Sequence, residues 1–400
     1  MILLERAGTS DADSTRAAWR EFVRAGEVSE ARRAALRPHV LRAWQRSVRA
    51  GCSPHRLTAE RLPAIDTLAL LERERKLIEA ARPYIAALSR SAGNARHAAQ
   101  LADRGARVLD VVGDERSVAG PEAVPGPGAV MSEAGAGANG LGTTLAEGGY
   151  TEIIGPEHFI EGFHGYTCQG IPIVGPGGMI LGVISISLLG VGTVERIRDI
   201  LFCASQGIEC DLLSQELLDT VARSRHESAG GVAERLRQDI VQHLAAARLK
   251  LELAAQRLAR GGDTAALLET AEELTIRFRR RAGLWRDLVT EACAAPRPFR
   301  LDEMVEQMIA LLSTEASVNE LHIAWGMRQD PAVVLADPHG AGRKLLAEIL
   351  TGMQRVGRGG RLRLEVEAEP ERMLGAVVVH GHTAGEQPVP SVRIDFPLLP

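Results

Sequence analysis

Three side chains that could bind a metal ion lie within one short stretch of the sequence. His158, His164 and Cys168 offer two imidazole nitrogens and a thiolate, which are ligands that zinc and related metals accept. Their spacing does not match a compact zinc finger. The sequence therefore leaves a ligand pocket or a structural role for these residues open beside a metal site.

The same stretch is rich in aromatic side chains, although the aromatic content of the chain is only 4%. Rings of this kind commonly line an apolar pocket that has a few polar contacts. The alternative is that they fill the core of the domain. We take the stretch as the candidate ligand-binding site. Its members are His158, Phe159, Glu161, Phe163, His164, Tyr166 and Cys168.

A further histidine, His243, is the only one in the first helix of a predicted helical hairpin. Phosphotransferases built on helical bundles present a solvent-facing histidine on such a helix, so His243 is a candidate phosphoacceptor. It directly precedes the apolar residue Leu244. The pattern favours a solvated or flanking polar position without chemistry.

Composition bounds the class of protein. At 400 residues the chain should hold several domains, and its 45% apolar and 24% charged residues are typical of globular proteins. A net charge of −4 and the absence of a helix-turn-helix pattern argue against direct DNA binding. The five cysteines form no C-x-x-C pair, which indicates a reducing compartment, and we expect the cytoplasm. The most apolar stretch, 179–189, is too short to span a membrane, so no membrane anchor is expected.

The periodicity changes along the chain. Residues 14–104 have a helical pattern, and strand-like runs follow at 107–112, 150–154, 169–174 and 179–189. A glycine-rich turn at 175–178 should join the last two runs as an antiparallel hairpin. A long exit helix over 197–225 then leads to a hinge near Gly230.

Beyond the hinge, two helices each carry one apolar stripe. The stripes are Ile240, Leu244, Ala247, Leu251, Ala254 and Leu258, and then Leu267, Ala271, Leu274, Phe278 and Trp285. Because two such helices cannot enclose a core, two hairpins should pair as a four-helix bundle in a homodimer. The alternative is that the hairpin packs on its own chain. A small α/β sandwich follows, with helices at 302–316 and 340–356 and strands at 321–327, 361–368, 374–380 and 391–396.

The middle of the chain resembles the GAF sensor of enhancer-binding activators of the acetoin-catabolism type. The matching stretches are LRAWQRS at 41–47 with Gly51 and Pro54, GANGLGT at 137–143, and EHFIEGFHGYTCQGIPI at 157–173. The resemblance implies a sensor for acetoin, diols, alcohols, ketones or similar small carbon compounds. No G-x-x-x-x-G-K-[ST] loop occurs, so the ATPase of those activators is absent from the sequence.

Residues 232–400 resemble a histidine kinase of the nitrate-sensor class. In that resemblance Arg237 stands at the phosphoacceptor position, and a guanidinium offers no nucleophilic lone pair. Gly352 stands where the family has a magnesium-binding asparagine. His380 lies in the segment that replaces the aspartate that contacts adenine. The resemblance therefore implies a pseudokinase that needs neither ATP nor magnesium.

The expected fold is an α+β multidomain protein with five parts: a helical lead-in (1–66), a GAF-like sensor (67–200), a signalling helix and hinge (201–231), a dimerising hairpin (232–295) and a degenerate kinase ATPase-like domain (296–400). The expected function is a cytoplasmic sensor that regulates a response regulator, a kinase or a transcription factor. The alternative is an active histidine kinase or phosphotransferase that uses His243 with ATP and magnesium.

Overall fold

The structure is a computed structural model. It describes residues 12–34, 36–119, 124–175, 178–190, 195–223, 237–238, 240–289, 295–328 and 332–399. The chain forms two compact units, one made of residues 1–213 and 243–276 and the other of residues 214–242 and 277–400. The five-part division stays a prediction, and the expected hinge near Gly230 lies outside the described residues.

The described residues form thirteen α-helices and thirteen strands. The helices are α1 Ala12–Ala25, α2 Glu30–Arg33, α3 Pro38–Arg49, α4 Ala64–Arg73, α5 Arg75–Ser91, α6 Glu115–Ala119, α7 Glu133–Ala136, α8 Gly142–Glu147, α9 Glu195–Arg223, α10 Ala246–Ala259, α11 Ala265–Val289, α12 Leu301–Val318 and α13 Pro338–Val356. The strands are β1 Glu60–Arg61, β2 His97–Asp103, β3 Val108–Gly113, β4 Ala129–Val130, β5 Thr151–Ile154, β6 Tyr166–Val174, β7 Ile180–Leu189, β8 Arg297–Arg300, β9 His322–Met327, β10 Val333–Ala336, β11 Arg361–Glu369, β12 Leu374–His382 and β13 Pro388–Pro397.

The first unit is built on a five-stranded antiparallel sheet with the order β3-β2-β7-β6-β5. The predicted hairpin of β6 and β7 is confirmed, with Ile171 opposite Ile184. The helical prediction was wrong for β2. Its alanines favour a helix, but the hydrogen bonds to β3 and β7 and the burial of all its residues outweigh that local preference.

The two faces of this sheet are covered differently. Ile184 and Ile186 of β7 belong to an apolar core that includes residues of α5 and α9. Successive side chains of a strand point to opposite faces, so Ser185 and Ser187 point away from that core. The sheet therefore has one face packed on helices and another face that carries polar residues.

The hairpin of α10 and α11 contributes to the same core. Leu251, Ala254, Ala255 and Leu268 are buried together with residues of α5. The apolar stripe that the sequence assigned to a dimer is thus covered here by the same chain, which is the alternative that the sequence left open. The homodimer stays a prediction.

The second unit contains a four-stranded sheet with the order β13-β12-β11-β9, in which β9 and β11 are parallel and the other pairs antiparallel. Leu362, Leu364 and Val366 of β11 are buried on the face that α12 and α13 cover. The other face carries ion pairs, such as those of Arg393 with Glu367 and Glu369. The predicted helices and strands of this region are confirmed, whereas the antiparallel pair of β8 and β10 was not expected.

In the part of the chain that the structure describes, no helix combines the length and the apolar character needed to cross a bilayer.

Candidate functional site

A cavity of about 550 Å³ lies on the polar face of the five-stranded sheet. Its volume is in the range of small-molecule sites. Strands β2, β6 and β7 form the floor, and the loops around them form the walls. The floor residues are Gln100, Tyr166, Cys168, Ser185, Ser187 and Leu189, and the wall residues are Leu57, Thr58, Arg96, Val124, Pro125, Met131, Asn139, Gly140, Leu141, Gly162, Phe163 and Gly165.

The strand register orders the floor in rows across the sheet. Ser185 lies between Gln100 and Gly170, and Ser187 lies between Ala98 and Cys168. The Sγ atom of Cys168 is 3.1 Å from the Oγ atom of Ser187. The floor thus carries hydrogen-bonding groups at regular intervals between apolar walls.

Ser185 has an unusual environment. Its residue is 1% exposed, and its hydroxyl has no hydrogen-bond partner among the described residues. A buried hydroxyl without a partner costs about 1–3 kcal/mol, so such groups are uncommon unless a ligand or a bound water satisfies them. Sequence reasoning missed Ser185 and Ser187. The feature of the sequence that could have identified them is the alternation Ile-Ser-Ile-Ser at 184–187. It places two serines on one face of a strand whose residues are buried on both faces.

Gly140 brings one wall of the cavity close to the floor. A Cβ atom at Gly140 would lie 2.7 Å from the Cβ atom of Cys168 and 2.9 Å from the Oγ atom of Ser185. On the floor itself, a Cβ atom at Gly170 would lie 2.0 Å from the carbonyl oxygen of Gly140. Only glycine fits at these two positions, and this explains part of the GANGLGT pattern.

Asn139 fixes the conformation of the same loop. Its Oδ1 atom accepts from the backbone N–H groups of Leu141 and Gly142, both at 2.9 Å. Its Nδ2 atom donates to the carbonyl oxygens of Met131 and Gly137, both at 2.7 Å. The buried side chain therefore replaces the backbone hydrogen bonds that an irregular loop lacks.

Helix α3 supports this loop through an ion-pair network. Arg46 donates to Glu133 at 2.6 and 2.9 Å and to Glu147 at 2.8 Å. Glu133 in turn accepts from the hydroxyl of Thr143 at 3.0 Å, and that hydroxyl accepts from the backbone N–H of Asn139. The hydrogen bonds to Glu133 help to raise the pKa of Arg46 above its usual value. Two separate stretches of the sequence pattern, 41–47 and 137–143, thus form one structural support for the cavity wall.

Of the seven predicted ligand-binding residues, four lie in or directly beside the cavity and three lie away from it. Phe163, Tyr166 and Cys168 line the cavity. His158 is fully buried behind Cys168, with its Nε2 atom 3.3 Å from the Sγ atom and its Nδ1 atom 2.9 Å from the carbonyl oxygen of Gly155.

Burial determines the protonation of this histidine and cysteine. It lowers the pKa of His158 to about 3 and raises the pKa of Cys168 to about 11. The pair is therefore a neutral imidazole and a neutral thiol at pH 7. Because a nucleophilic cysteine must be a thiolate, the geometry supports packing and ligand contact rather than covalent catalysis.

The remaining three predicted residues lie away from the cavity. Phe159 is buried in an apolar core and does not line the cavity, Glu161 is exposed and contacts His55, and His164 packs edge-on against Trp19 with the ring centroids 4.8 Å apart. Within the described ranges, no group of three His, Cys, Asp or Glu side chains could hold a metal ion. The Nε2 atom of His164 faces the backbone carbonyl oxygen of His158, so His158, His164 and Cys168 do not form a ligand set.

The positions assigned by the kinase resemblance lie in ordinary surroundings. Arg237 is exposed, and His243 is 9% exposed within a π-helical turn, Val241–Ala245, so of the two positions that the sequence favoured, solvated or flanking, the solvated one is wrong. Gly352 of α13 is buried, and a Cβ atom there would lie 3.1 Å from Leu362. His380 is on the outer face of the sheet, 2.8 Å from the hydroxyl of Ser391.

The connection after His380 is short. Strands β12 and β13 are paired up to His382 and Pro388, and residues 383–387 form the turn between them. Hydrogen bonds between the backbones of Thr383 and Gln387, and of Glu386 and Thr383, close this turn. It holds no helix and no long loop.

Comparison with known proteins finds a family match over the residues that form the cavity. Residues 10–206 match the family described as MimR, N-terminal domain, and this range contains the whole cavity. The "signal-transduction and transcriptional-control protein" of Clostridium beijerinckii is 31% identical over 120 residues. Those residues are 30% of this chain but only 19% of that relative.

Solved structures similar to this chain include a DhaR(N)–DhaL complex and histidine kinases. A chain of the E. coli DhaR(N)–DhaL complex has a TM-score of 0.44 at 15% identity, over 47% of this chain and 65% of that one. The histidine kinase ThkA in complex with the response regulator TrrA has a TM-score of 0.22 at 11% identity, over 73% and 80%. A histidine kinase from Burkholderia phymatum has a TM-score of 0.21 at 12% identity, over 48% and 68%.

Proposed function

We propose that this chain is a sensor that binds a small carbon compound in the cavity of its first unit and regulates a signalling or transcriptional partner without transferring phosphate. The cavity carries this proposal. It combines apolar walls with a floor of hydroxyl, thiol and amide groups, and it includes the Ser185 hydroxyl, which has no partner among the described residues. The match of the same residues to the family described as MimR, N-terminal domain, and the partial similarity to a signal-transduction and transcriptional-control protein support it.

A binding experiment tests the sensor function. We expect at least one of acetoin, a vicinal diol, a short alcohol and a short ketone to bind the purified chain in a calorimetric titration. Ser187→Met should abolish binding because it places a long side chain in the cavity. Ser391→Met, the same change on the outer face of the second sheet, should leave binding unchanged. Equal affinities in the two variants would place the ligand elsewhere.

The proposed absence of phosphoryl transfer has its own support. Phosphoryl transfer depends on positioning and on a metal that neutralises charge. Arg237 offers no nucleophile, Gly352 is packed towards Leu362, and the turn of residues 383–387 leaves no loop to close over a nucleotide. His243 is buried, so a role for it as phosphoacceptor is not part of the proposal.

A calorimetric titration with ATP and magnesium separates a pseudokinase from a kinase. We expect no detectable heat from a sample shown to be folded by circular dichroism. Micromolar binding, together with phosphate labelling that His243→Ala abolishes, would establish the kinase instead.

The proposed output is a protein contact, with a response regulator, a kinase or a transcription factor as partner and with the chain acting as a homodimer. Leu249 and Leu253 of α10 are 58% and 41% exposed and lie one helical turn apart, away from the buried stripe. We place the dimer contact on this side of the hairpin. Light scattering should give twice the chain mass, and Leu249→Glu with Leu253→Glu should reduce it to that of one chain. An unchanged mass would place the dimer contact elsewhere.

A further inference from the structure

A charged cluster lies where three helices of the first unit meet, and two of its members, Tyr84 and Asp211, are buried while Arg248 reaches solvent. Asp211 of α9 pairs with Arg248 of α10, and the guanidinium of Arg248 lies 5.4 Å from the centre of the Tyr84 ring on α5. The Tyr84 side chain also helps to lower the pKa of the Asp211 carboxyl group. We call Tyr84, Asp211 and Arg248 the latch. One residue from each helix thus contributes to a single contact.

The latch is tightly packed on the sensor side. Tyr84 is 2% exposed, and a Cβ atom at Gly207 of α9 would lie 2.1 Å from its ring. Helices α5 and α9 therefore approach each other closely at this point, and the Tyr84 ring has a fixed seat. Burial raises the pKa of Asp211, and Arg248 offsets part of this effect. A buried carboxylate that loses its partner is strongly unfavourable, so the latch favours the docked hairpin.

The rest of the docked surface combines apolar contacts, partly between small residues, with a second ion pair, that of Arg90 on α5 with Glu252 on α10. Ala254 and Ala255 of α10 are fully buried with residues of α5, and Gly93 lies close to Ala259 at the end of the helix. Apolar contacts of this kind have little directional preference. Because the Asp211 side chain is more buried than either member of the Arg90–Glu252 pair, the latch contributes more than the other contacts to selecting one arrangement of α10.

Helix α9 also has a direct connection to the cavity floor. The hydroxyl of Ser205 donates to the carbonyl oxygen of Pro172 at 2.8 Å, and Glu209 accepts from the backbone N–H of Val174 at 2.8 Å. Pro172 and Val174 belong to β6, the strand that carries Tyr166 and Cys168 into the cavity. A displacement of β6 is thus transmitted to the part of α9 that holds Asp211.

We propose that the latch holds the hairpin on the sensor, and that a ligand in the cavity shifts β6 and α9 so that the contact of Asp211 with Arg248 loosens and α10 is freed. This regulation rests on the proposed function, because it requires a ligand in the cavity. The two arrangements of α10, docked and free, would be the states whose populations the ligand changes.

Hydrogen–deuterium exchange of the full chain tests the latch without any ligand. We expect Arg248→Met and Asp211→Asn to speed exchange of the α10 backbone amides by about tenfold, since local opening determines exchange. Arg257→Met, at an exposed position of the same helix, should leave exchange unchanged. Tyr84→Phe keeps the buried ring and removes only the hydroxyl, so it should speed α10 exchange less than the other two variants do. Because its packing is unchanged, an increase in this variant would not be explained by a general folding defect. Exchange at the wild-type rate in both Arg248→Met and Asp211→Asn would overturn the proposal.

A second series adds acetoin at saturation. It should speed α10 exchange in the wild-type chain and have no further effect in Arg248→Met. Acetoin that binds without changing α10 exchange would also overturn the proposal. Failure of the proposed function would be seen differently, as a lack of binding by every compound in the calorimetric panel, and the ligand-free exchange rates do not depend on that result.

Discussion

All seven residues of β2 in the first sheet are buried, whereas exposed and buried residues alternate along much of β11 in the second sheet. The first sheet is covered on both faces, so a polar side chain on it is either hydrogen-bonded or directed into the cavity. The second sheet has one open face, where polar side chains are accessible to solvent. On that face Arg393 pairs with Glu367, and His380 is hydrogen-bonded to Ser391. A polar residue on the open face of the second sheet is accounted for by its contact with solvent. A polar residue on the first sheet is buried, so it needs a hydrogen-bond partner or a ligand, and this makes it a candidate for a functional role.

The largest difference is expected for the arginines of the two regions. Arg46→Ala should lower the free energy of unfolding by about 3 kcal/mol, because it leaves the nearly buried Glu133 carboxylate without its positively charged partner. Arg393→Ala removes ion pairs on the open face and should cost less than about 1 kcal/mol. Urea unfolding followed by tryptophan fluorescence gives both values. Similar losses in the two variants would show that the ion pair of Arg46 with Glu133 does not stabilise the first unit more than the ion pairs of Arg393 stabilise the second.

The next effect concerns pH and the histidines of the two sheets. The pKa of His158 is lowered to about 3, while an unfolded histidine has a pKa of about 6.5. Between these values the unfolded chain binds a proton that the folded chain excludes, so stability falls as the pH falls through this window. From pH 7 to pH 5 this group should contribute a loss of about 2 kcal/mol. His158→Gln should remove that contribution and His380→Gln should retain it, as measured by urea unfolding at both pH values.

A smaller effect of opposite sign is expected at Ser185. Without a ligand, Ser185→Ala should raise the free energy of unfolding by about 1 kcal/mol, because it removes a buried hydroxyl that lacks a partner among the described residues. The same variant should weaken binding of whichever panel compound the wild-type chain binds. Ser391→Ala on the open face should change stability by less than about 0.5 kcal/mol. A destabilised Ser185→Ala chain would mean that the hydroxyl has an internal partner.

The sequence predicts the elements well where one periodicity dominates. The hairpin of β6 and β7 and the helices and strands of the second unit follow from alternation, helical spacing and turn residues. It fails at β2, because the alanine content of His97–Asp103 favours a helix and only the neighbouring strands make it a strand.

The candidate site was predictable only where its residues lie close together in the sequence. Phe163, Tyr166 and Cys168 lie close together in sequence, and the structure places them in one cavity. Gln100 and Ser185 come from distant segments, and only the strand register brings them together. Phe159 and Phe163 are buried in the same apolar core, yet Phe163 lines the cavity and Phe159 does not, which residue type alone does not reveal.

The smallest effect is expected for an attempt to restore a kinase residue in the second unit. Gly352→Asn returns the residue that the kinase resemblance requires, yet we expect no binding of ATP and magnesium in a calorimetric titration. A side chain at Gly352 would meet Leu362 and Val379 on the helix-covered face of the sheet, so an amide there would enter the core and would not reach a nucleotide. The turn of residues 383–387 would still supply no lid. Gln354→Asn, on the exposed side of the same helix, is the matched control. Micromolar binding in Gly352→Asn alone would mean that the second unit retains a nucleotide site. The proposed contrast, in which the first sheet binds a ligand and the second has no catalytic role, would then not hold.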